Sequence, residues 1–298
     1  IEGIRGLPTA CTTPAEAGMK VYTTTSEISK IRRITLELFI ANHPADCLIC
    51  DNNLQCELQT LTAYLGIDEQ RFRKPTKLQP VDMRNPLFIR DPNKCILCGR
   101  CVRICQDVRG VGAISFINRS KDTFIGSAFN RPLSEAECRF CGACVEVCPT
   151  GALSDRDLKW KTWDERRHAL VPCKYACPAE MDAPRYIRLI AQGKYAEATA
   201  VVREKAPFPG VLGRVCIRPC EAACRREKLN APIAIKSLKR FAADRDNGLW
   251  KQNLKAQSPT HKKVAIIGSG PAGLTAAYFL ARRGHFLTIF ETYEQLGG

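Results

Sequence analysis

The chain has 298 residues, a length that suggests about two domains, and 45% hydrophobic and 25% charged residues, an ordinary globular composition. Its seventeen cysteines are not ordinary; disulfide scaffolds of that density are short secreted chains, and the first residues, IEGIRGLPTACTTP, lack the charged start and apolar run of a secretory signal. The formal charge of +15 is spread over Lys and Arg with no uninterrupted run longer than two, which is the pattern of a solvated surface and gives no nucleic-acid stripe.

In chain order, Cys11 sits in a small-residue turn, LPTACTTPAEAGM. Residues 25–42, TSEISKIRRITLELFIAN, predict an amphipathic helix capped by Ser26, with Ile28, Ile31, Leu38 and Phe39 near helical spacing. It runs into HPADCLICDNNLQC, and ELQTLTAYLG then reads as a short helix stopped by Gly66. Residues 70–92 are basic and Pro-punctuated, a linker. Residues 93–152 hold an internal repeat, CILCGRCVRIC and CRFCGACVEVC, with GAISFI between them marking a small strand pair. Residues 155–172 are charged, and their Trp160 and Trp163 are expected to pack between modules. From 182 to 248 the pattern is helical, broken at PFPG and at Asn230–Pro232. Residues 262–298 switch to strand, Gly-rich turn, helix, strand. The eighteen uncharged residues between Lys263 and Arg282 reach the lower limit of a membrane span, but Gly and Pro in their middle fit a buried strand and a helix joined by a turn, so no span is expected.

The repeat carries the strongest chemistry. Cys95, Cys98, Cys101 and Cys105 follow the spacing 2, 2, 3, as do Cys138, Cys141, Cys144 and Cys148, the last before Pro149. This is the bacterial ferredoxin pattern, in which three close thiolates cap three irons of a cubane and the fourth cysteine serves the other cluster. Cys95, Cys98, Cys101 and Cys148 are therefore assigned to one [4Fe–4S] cluster, and Cys138, Cys141, Cys144 and Cys105 to a second. Each such cluster adds about −2 or −3 of charge, because ligation deprotonates the thiols, and this offsets much of the basic excess. His43, Cys47, Cys50 and Cys56 form a mixed set that suits a third [4Fe–4S] cluster; spacing alone also admits zinc with one histidine and three cysteines.

VAIIGSGPAGLTAAYFLARRGHFLTIFE places Gly268, Gly270 and Gly273 after a strand, with Glu291 eighteen residues past the last glycine. Such glycines allow a tight turn and let a pyrophosphate approach the helix N-terminus, while the acid takes a ribose hydroxyl. Between repeat and turn lie Cys173, Cys177, Cys216, Cys220 and Cys224, five thiols that hold one cubane; zinc is the competing reading.

Residues 1–158 resemble the iron–sulfur region shared by the large iron–sulfur subunit of complex I and iron-only hydrogenases, on His43-x3-Cys47-x2-Cys50-x5-Cys56 followed by two ferredoxin runs. The resemblance implies that Cys11 is the last ligand of a plant-type [2Fe–2S] domain whose other ligands lie upstream of Ile1. GSGPAG followed by FETYEQLGG resembles the FAD domain of the glutamate-synthase small-subunit flavoprotein group, which implies FAD at Gly268, Gly270, Pro271, Ala272, Gly273, Glu291, Gly297 and Gly298, with an NAD(P)H domain beyond; on this reading the chain begins and ends inside domains. Residues 171–246 resemble the helical iron–sulfur domain of that group, which implies Cys177, Cys216 and Cys220 as ligands, with Cys224 or else Cys173 as the fourth. The group's two-cluster members have a further CxxC before Cys173 and an acid or amide ligand where Lys239 stands; this chain has neither.

The expected fold is therefore an α+β multi-domain iron–sulfur protein. Residues 1–22 are the tail of the [2Fe–2S] domain, 23–90 the His43 cluster domain with a linker, 91–158 a ferredoxin-like two-cluster module, 159–260 a helical [4Fe–4S] domain, and 261–298 the first βαβ of a Rossmann-type FAD domain. The expected function is an electron-transfer subunit of an NAD(P)H-linked complex. It passes electrons between flavin and a partner (a formate dehydrogenase, hydrogenase, complex I-like module or ferredoxin) through four cubanes, in the cytoplasm of an anaerobic or facultative organism. The alternative is a self-contained, flavin-bifurcating NAD(P)H:ferredoxin oxidoreductase. A zinc-rich scaffold for nucleic acid or protein leaves the nucleotide turn unexplained.

Overall fold

The computed structural model describes residues 1–69, 71–72, 78–157, 162–252 and 257–298. They divide into two units, one of residues 1–104, 113–138 and 142–163, the other of residues 105–112, 139–141 and 164–298.

In the first unit, α1 (Ser26–Ile40) is capped by Thr25, whose Oγ1 accepts the Ile28 N–H at 3.3 Å. Ser26 is already helical; a cap must reach the amide two or three residues ahead from extended backbone, which Thr25 has. The buried face also differs from the expected one. Leu36, Glu37 and Ile40 are inside, whereas Ile31, Leu38 and Phe39 are exposed. Glu37 tolerates burial because Arg33 and Arg71 both donate to its carboxylate, and Arg71 in particular holds its carboxyl below the usual range. The second helix, α2 (Glu57–Tyr64), ends before a left-handed Gly66 as predicted. Its Leu58 joins Leu36, Ile40 and Ile67 in a small core, each such side chain contributing roughly 1.5–3 kcal/mol.

The segment read as a linker contains a strand, β1 (Phe88–Arg90), which pairs antiparallel with β4 (Leu153–Asp155). Between them lie α3 (Arg100–Arg103), the expected strand pair β2 (Ser115–Ile117) and β3 (Phe124–Gly126), and α4 (Ala143–Glu146). Trp160 lies outside the described residues, as does the side chain of Trp163.

The second unit is helical up to residue 243: α5 (Trp163–Leu170), α6 (Pro172–Tyr175), α7 (Ala183–Ala191), α8 (Tyr195–Arg203), α9 (Pro209–Val215), α10 (Pro219–Ala222) and α11 (Ile235–Ala243). Of the predicted break at PFPG, Pro207 and Phe208 lie between α8 and α9 while Pro209 and Gly210 open α9; Asn230–Pro232 precedes α11. Tyr186, Ala198, Val202 and Ala242 are almost wholly buried in a core that includes Cys177 and Cys220, and the Tyr186 hydroxyl donates to the Ile235 carbonyl at 3.2 Å. The chain closes with β5 (Lys263–Ile267), α12 (Pro271–Arg282) and β6 (Phe286–Phe290), the strands parallel with Lys263 opposite Phe286. No described helix is long and apolar enough to cross a membrane.

Candidate metal centres and nucleotide site

All seventeen cysteines are free thiols. Among the described residues no three His, Cys, Asp or Glu side chains converge on a single metal ion; a cubane spreads its thiolates over separate irons, so its ligands stand farther apart.

In the first unit, Cys95, Cys98, Cys101 and Cys148 form one electrostatic group. Burial pushes the Cys95 thiol up to about 11, and Cys148 and Cys98 push in the same direction. Burial pushes Cys101 up to about 12, with Cys148, Cys95 and Cys98 adding to it. Two ties bring the distant Cys148 to the first run: the Thr150 hydroxyl donates to the Lys94 carbonyl at 2.8 Å, and Cys148 Sγ lies 3.8 Å from the same hydroxyl. Leu97, in left-handed conformation (φ 55°), turns its N–H onto Cys95 Sγ at 3.4 Å. Gly99 (φ 71°) then starts α3, which carries Cys101. The second run repeats these backbone angles at Phe140 (φ 55°) and Gly142 (φ 78°) ahead of α4, so the sequence repeat is also a repeat of loop geometry. Of the second predicted set, Cys138 and Cys144 lie in the first unit and Cys105 and Cys141 in the other.

Around His43, burial raises the Cys56 thiol, and Cys50 and Cys47 act in the same sense. Burial holds the His43 imidazole below its ordinary value, and its Nδ1 is buried without a hydrogen-bond partner. An orphaned buried acceptor or donor costs about 1–3 kcal/mol, so a ring nitrogen left in this way fits a role as a metal ligand. Lys94 is a charged neighbour of both His43 and Cys50. A Cβ at Gly151 would stand 2.6 Å from Cys50 Sγ, so only glycine leaves room for that thiol.

In the helical domain, Cys173 and Cys220 are the cysteines whose surroundings are most altered by burial and by neighbouring thiols. Burial raises the Cys220 thiol to about 11, with Cys177, Cys216 and Glu221 raising it and Lys239 lowering it. Arg218, left-handed at φ 57°, points its N–H at Cys216 Sγ at 3.3 Å, repeating the Leu97–Cys95 arrangement; amide donors of this kind stabilise a thiolate bound to a cluster. Cys173 is raised to about 12 by burial, and its leading thiol neighbour is Cys224. Cys173, Cys224, Cys141 and Arg109 line one mostly apolar cavity of about 70 Å³. Cys11 is exposed in its turn.

The strand, turn, helix and strand of the nucleotide motif follow in order. Gly268 takes φ 92°, and a Cβ at Gly273 would stand 2.0 Å from the Gly268 carbonyl oxygen, so turn and helix close only on glycine. Pro271 and Ala272 open α12. The Glu291 carboxylate accepts from the Ser269 N–H at 2.7 Å, the Ser269 hydroxyl at 2.5 Å, and the Thr292 and Tyr293 N–H groups at 2.7 and 3.1 Å. These bonds, those from Ser269 first, hold its carboxyl down at about 2. Gly297 N–H donates to Ser269 Oγ at 3.1 Å, and a Cβ at Gly298 would meet the Gly270 Cα at 3.2 Å. Ser269 is the residue that sequence reasoning missed; it occupies the variable position between two motif glycines, and nothing in the spacing marks it.

Four stretches match known families. Residues 32–71 match the NADH-ubiquinone oxidoreductase-G iron-sulfur binding region, and 85–154 the ferredoxin-like domain of NADH-quinone oxidoreductase subunit 3. Residues 168–249 match dihydropyrimidine dehydrogenase domain II, 4Fe-4S cluster, and 266–298 the NAD(P)-binding Rossmann-like domain. The chain is thus a multi-domain α+β iron–sulfur protein, with a ferredoxin-like 4Fe–4S module, a helical 4Fe–4S domain and the start of a Rossmann-type domain. It is 38% identical over 161 residues (54% of this chain, 19% of the relative) to NADPH-Fe(3+) oxidoreductase subunit alpha of Geobacter sulfurreducens. It is 43% identical over 168 residues (55% and 19%) to an NADH-quinone oxidoreductase subunit of Rhizobium meliloti. It is 44% identical over 149 residues (43% and 21%) to NADP(+)-dependent formate dehydrogenase subunit beta of Moorella thermoacetica. The chain spans about a fifth of the length of each of these relatives.

Proposed function

We propose that this chain is the electron-carrying part of an NAD(P)H-linked iron–sulfur flavoprotein oxidoreductase, a subunit that works with a formate dehydrogenase, hydrogenase, complex I-like module or ferredoxin in the cytoplasm. The observation that carries the reading is the presence of ferredoxin-type thiol groups and a dinucleotide turn on one chain. A flavin exchanges two electrons as hydride and clusters exchange one at a time, so the pair supplies conversion between the two currencies.

The ligand assignments follow the sequence. Cys95, Cys98, Cys101 and Cys148 hold one cubane, and Cys138, Cys141, Cys144 and Cys105 the second. His43, Cys47, Cys50 and Cys56 hold the third, and Cys177, Cys216 and Cys220 with Cys224 the fourth. Cys11 belongs to a [2Fe–2S] domain in the full-length protein. The domain limits are those proposed from sequence, at residues 22, 90, 158 and 260. The chain's own residues then have defined tasks: the Leu97 and Arg218 amides donate to ligand sulfurs, His43 offers its orphaned nitrogen, Gly268–Gly273 admits a pyrophosphate, and Glu291 accepts a ribose hydroxyl of FAD. Iron, acid-labile sulfide and flavin analysis of the anaerobically purified intact protein tests the proposal. Iron, sulfide and FAD are expected, and zinc in place of iron, or protein without flavin, would sink it.

A further inference from the structure

Lys94 stands between two of the assigned thiol groups, and its main chain and side chain face different ones. The Lys94 carbonyl accepts the Thr150 hydroxyl at 2.8 Å, and that hydroxyl lies 3.8 Å from Cys148 Sγ. The main chain is thus fixed at the Cys95–Cys148 group. The side chain runs to the other. A Cβ at Gly151 would meet Cys50 Sγ at 2.6 Å and Lys94 Cδ at 3.4 Å, so thiol and lysine stem crowd the same glycine. Nearby, the Pro149 carbonyl accepts the Glu57 N–H at 3.0 Å and the Cys56 thiol at 3.5 Å. The Lys94 side chain is only 16% exposed, with Asp91 at 3.5 Å and Asp46 at 4.0 Å. Both distances exceed the roughly 2.7–3.2 Å of a close N–H···O bond, so neither carboxylate takes up the ammonium fully. Burial opposes its charge, and Cys50 leads the groups that favour it, ahead of both carboxylates. A buried ammonium needs a negative partner, and a thiolate-ligated cluster at Cys50 is one.

Resting on the ligand assignments above, we infer that Lys94 sets the potential step between two adjoining clusters. Its ammonium raises the potential of the cluster at His43, Cys47, Cys50 and Cys56, whereas the Cys95–Cys148 cluster is tied to its main chain. Arg90 is the cation that acts most on Cys95. One-electron reduction adds a negative charge to a cluster, and a fixed positive charge nearby favours the reduced form. Without the ammonium, Asp46 and Asp91, which both act on His43, are left uncompensated and reduction becomes harder.

The test is an EPR-monitored redox titration of the intact protein and its Lys94→Met, Lys94→Gln and Lys94→Arg variants. The His43 cluster is identified as the signal that Cys56→Ser removes, and the Cys95–Cys148 cluster as the one that Cys101→Ser removes. A unit charge about 10 Å away at an effective dielectric of about 20 changes a one-electron equilibrium by on the order of tenfold, which is about 59 mV. At a fixed potential, the neutral variants are expected to lower the reduced-to-oxidised ratio of the His43 cluster by that factor, with iron and sulfide content unchanged. The ratio for the Cys95–Cys148 cluster is expected to move by no more than about threefold, and Lys94→Arg to stay within about threefold of wild type at both. Loss of the His43 cluster from both neutral variants but not from Lys94→Arg also supports the role of the charge. An unchanged potential, an equal or larger shift of the Cys95–Cys148 cluster, or an arginine variant that behaves like the neutral ones overturns the inference. Wild type with no signal that Cys56→Ser removes overturns the ligand reading, and this inference with it.

Discussion

Lys239 shows what one residue does to a metal site. It is 3% exposed on α11 and acts on Cys220 within the group that includes Cys177 and Cys216. An ammonium has no lone pair for iron, so it is no substitute for the acid or amide ligand that the resemblance puts there; its physical role is as countercharge. A buried ammonium needs a negative partner, and a thiolate-ligated cubane is one. Replacement by methionine keeps the length and removes the charge. At an effective dielectric of about 20 a unit charge several ångströms away acts at the level of a few kcal/mol, so Lys239→Met is expected to lower the midpoint potential of this cluster by on the order of 100 mV. An EPR-monitored redox titration of variant against wild type measures it, and an unchanged potential removes Lys239 from the cluster's surroundings. Sequence showed that the family ligand is absent here; that the replacing lysine is buried depends on which face of α11 packs inward, and a single window does not reveal it.

At the level of elements, short strands decide the first unit, and they differ in how legible they were. Gly66 and the GAISFI strand pair were readable because their signals are local. β1 was not, because three residues become a strand only by pairing with β4, more than sixty residues on. Nor was the true inner face of α1 readable, because burial of Glu37 depends on Arg71, outside the helix. What fixes β1 in place is polar. Arg90, 8% exposed, donates to the Asp82 carboxylate at 2.6 Å and to the Ile125 carbonyl on β3 at 2.9 Å, and Asp82 also accepts from Arg84. Asp82→Asn leaves the buried guanidinium without its countercharge, at an expected loss of about 3 kcal/mol in chemical denaturation. The Arg84 hydrogen bond, with Arg90 beside it, holds the Asp82 carboxyl at about 2 against an ordinary 3.8. A depressed carboxyl stabilises fully above its unfolded value and progressively less as pH falls toward the folded one. Wild type should therefore lose stability between about pH 4 and pH 2 more steeply than Asp82→Asn; parallel pH profiles would show that the pair does not stabilise the fold.

Across the whole molecule, the spacing rule for the ferredoxin runs includes a long-range partner. The ferredoxin pattern put Cys148 with Cys95, Cys98 and Cys101, and the structure gathers those four through Thr150 and Lys94. In the helical domain no such rule exists, and five cysteines left a choice between Cys173 and Cys224. The structure places those two beside each other, with Cys141 of the second ferredoxin run lining the same cavity, while Cys220, Cys173, Cys177 and Cys216 all act on Tyr186. Cys177, Cys216 and Cys220 need one more ligand, which we assign to Cys224, four residues past Cys220. Cys216→Ser and Cys224→Ser are each expected to lose one cubane of iron and sulfide per chain, and Cys173→Ser to lose none, measured on anaerobically prepared protein. Equal loss from Cys173→Ser and Cys224→Ser with none from Cys216→Ser would mean that the cavity pair holds the cluster and the Cys177, Cys216 and Cys220 group does not. The same three variants then locate the electron path: if the fourth cubane lies on it, reduction of the ferredoxin-type clusters by NAD(P)H should fail in Cys216→Ser and Cys224→Ser and persist in Cys173→Ser.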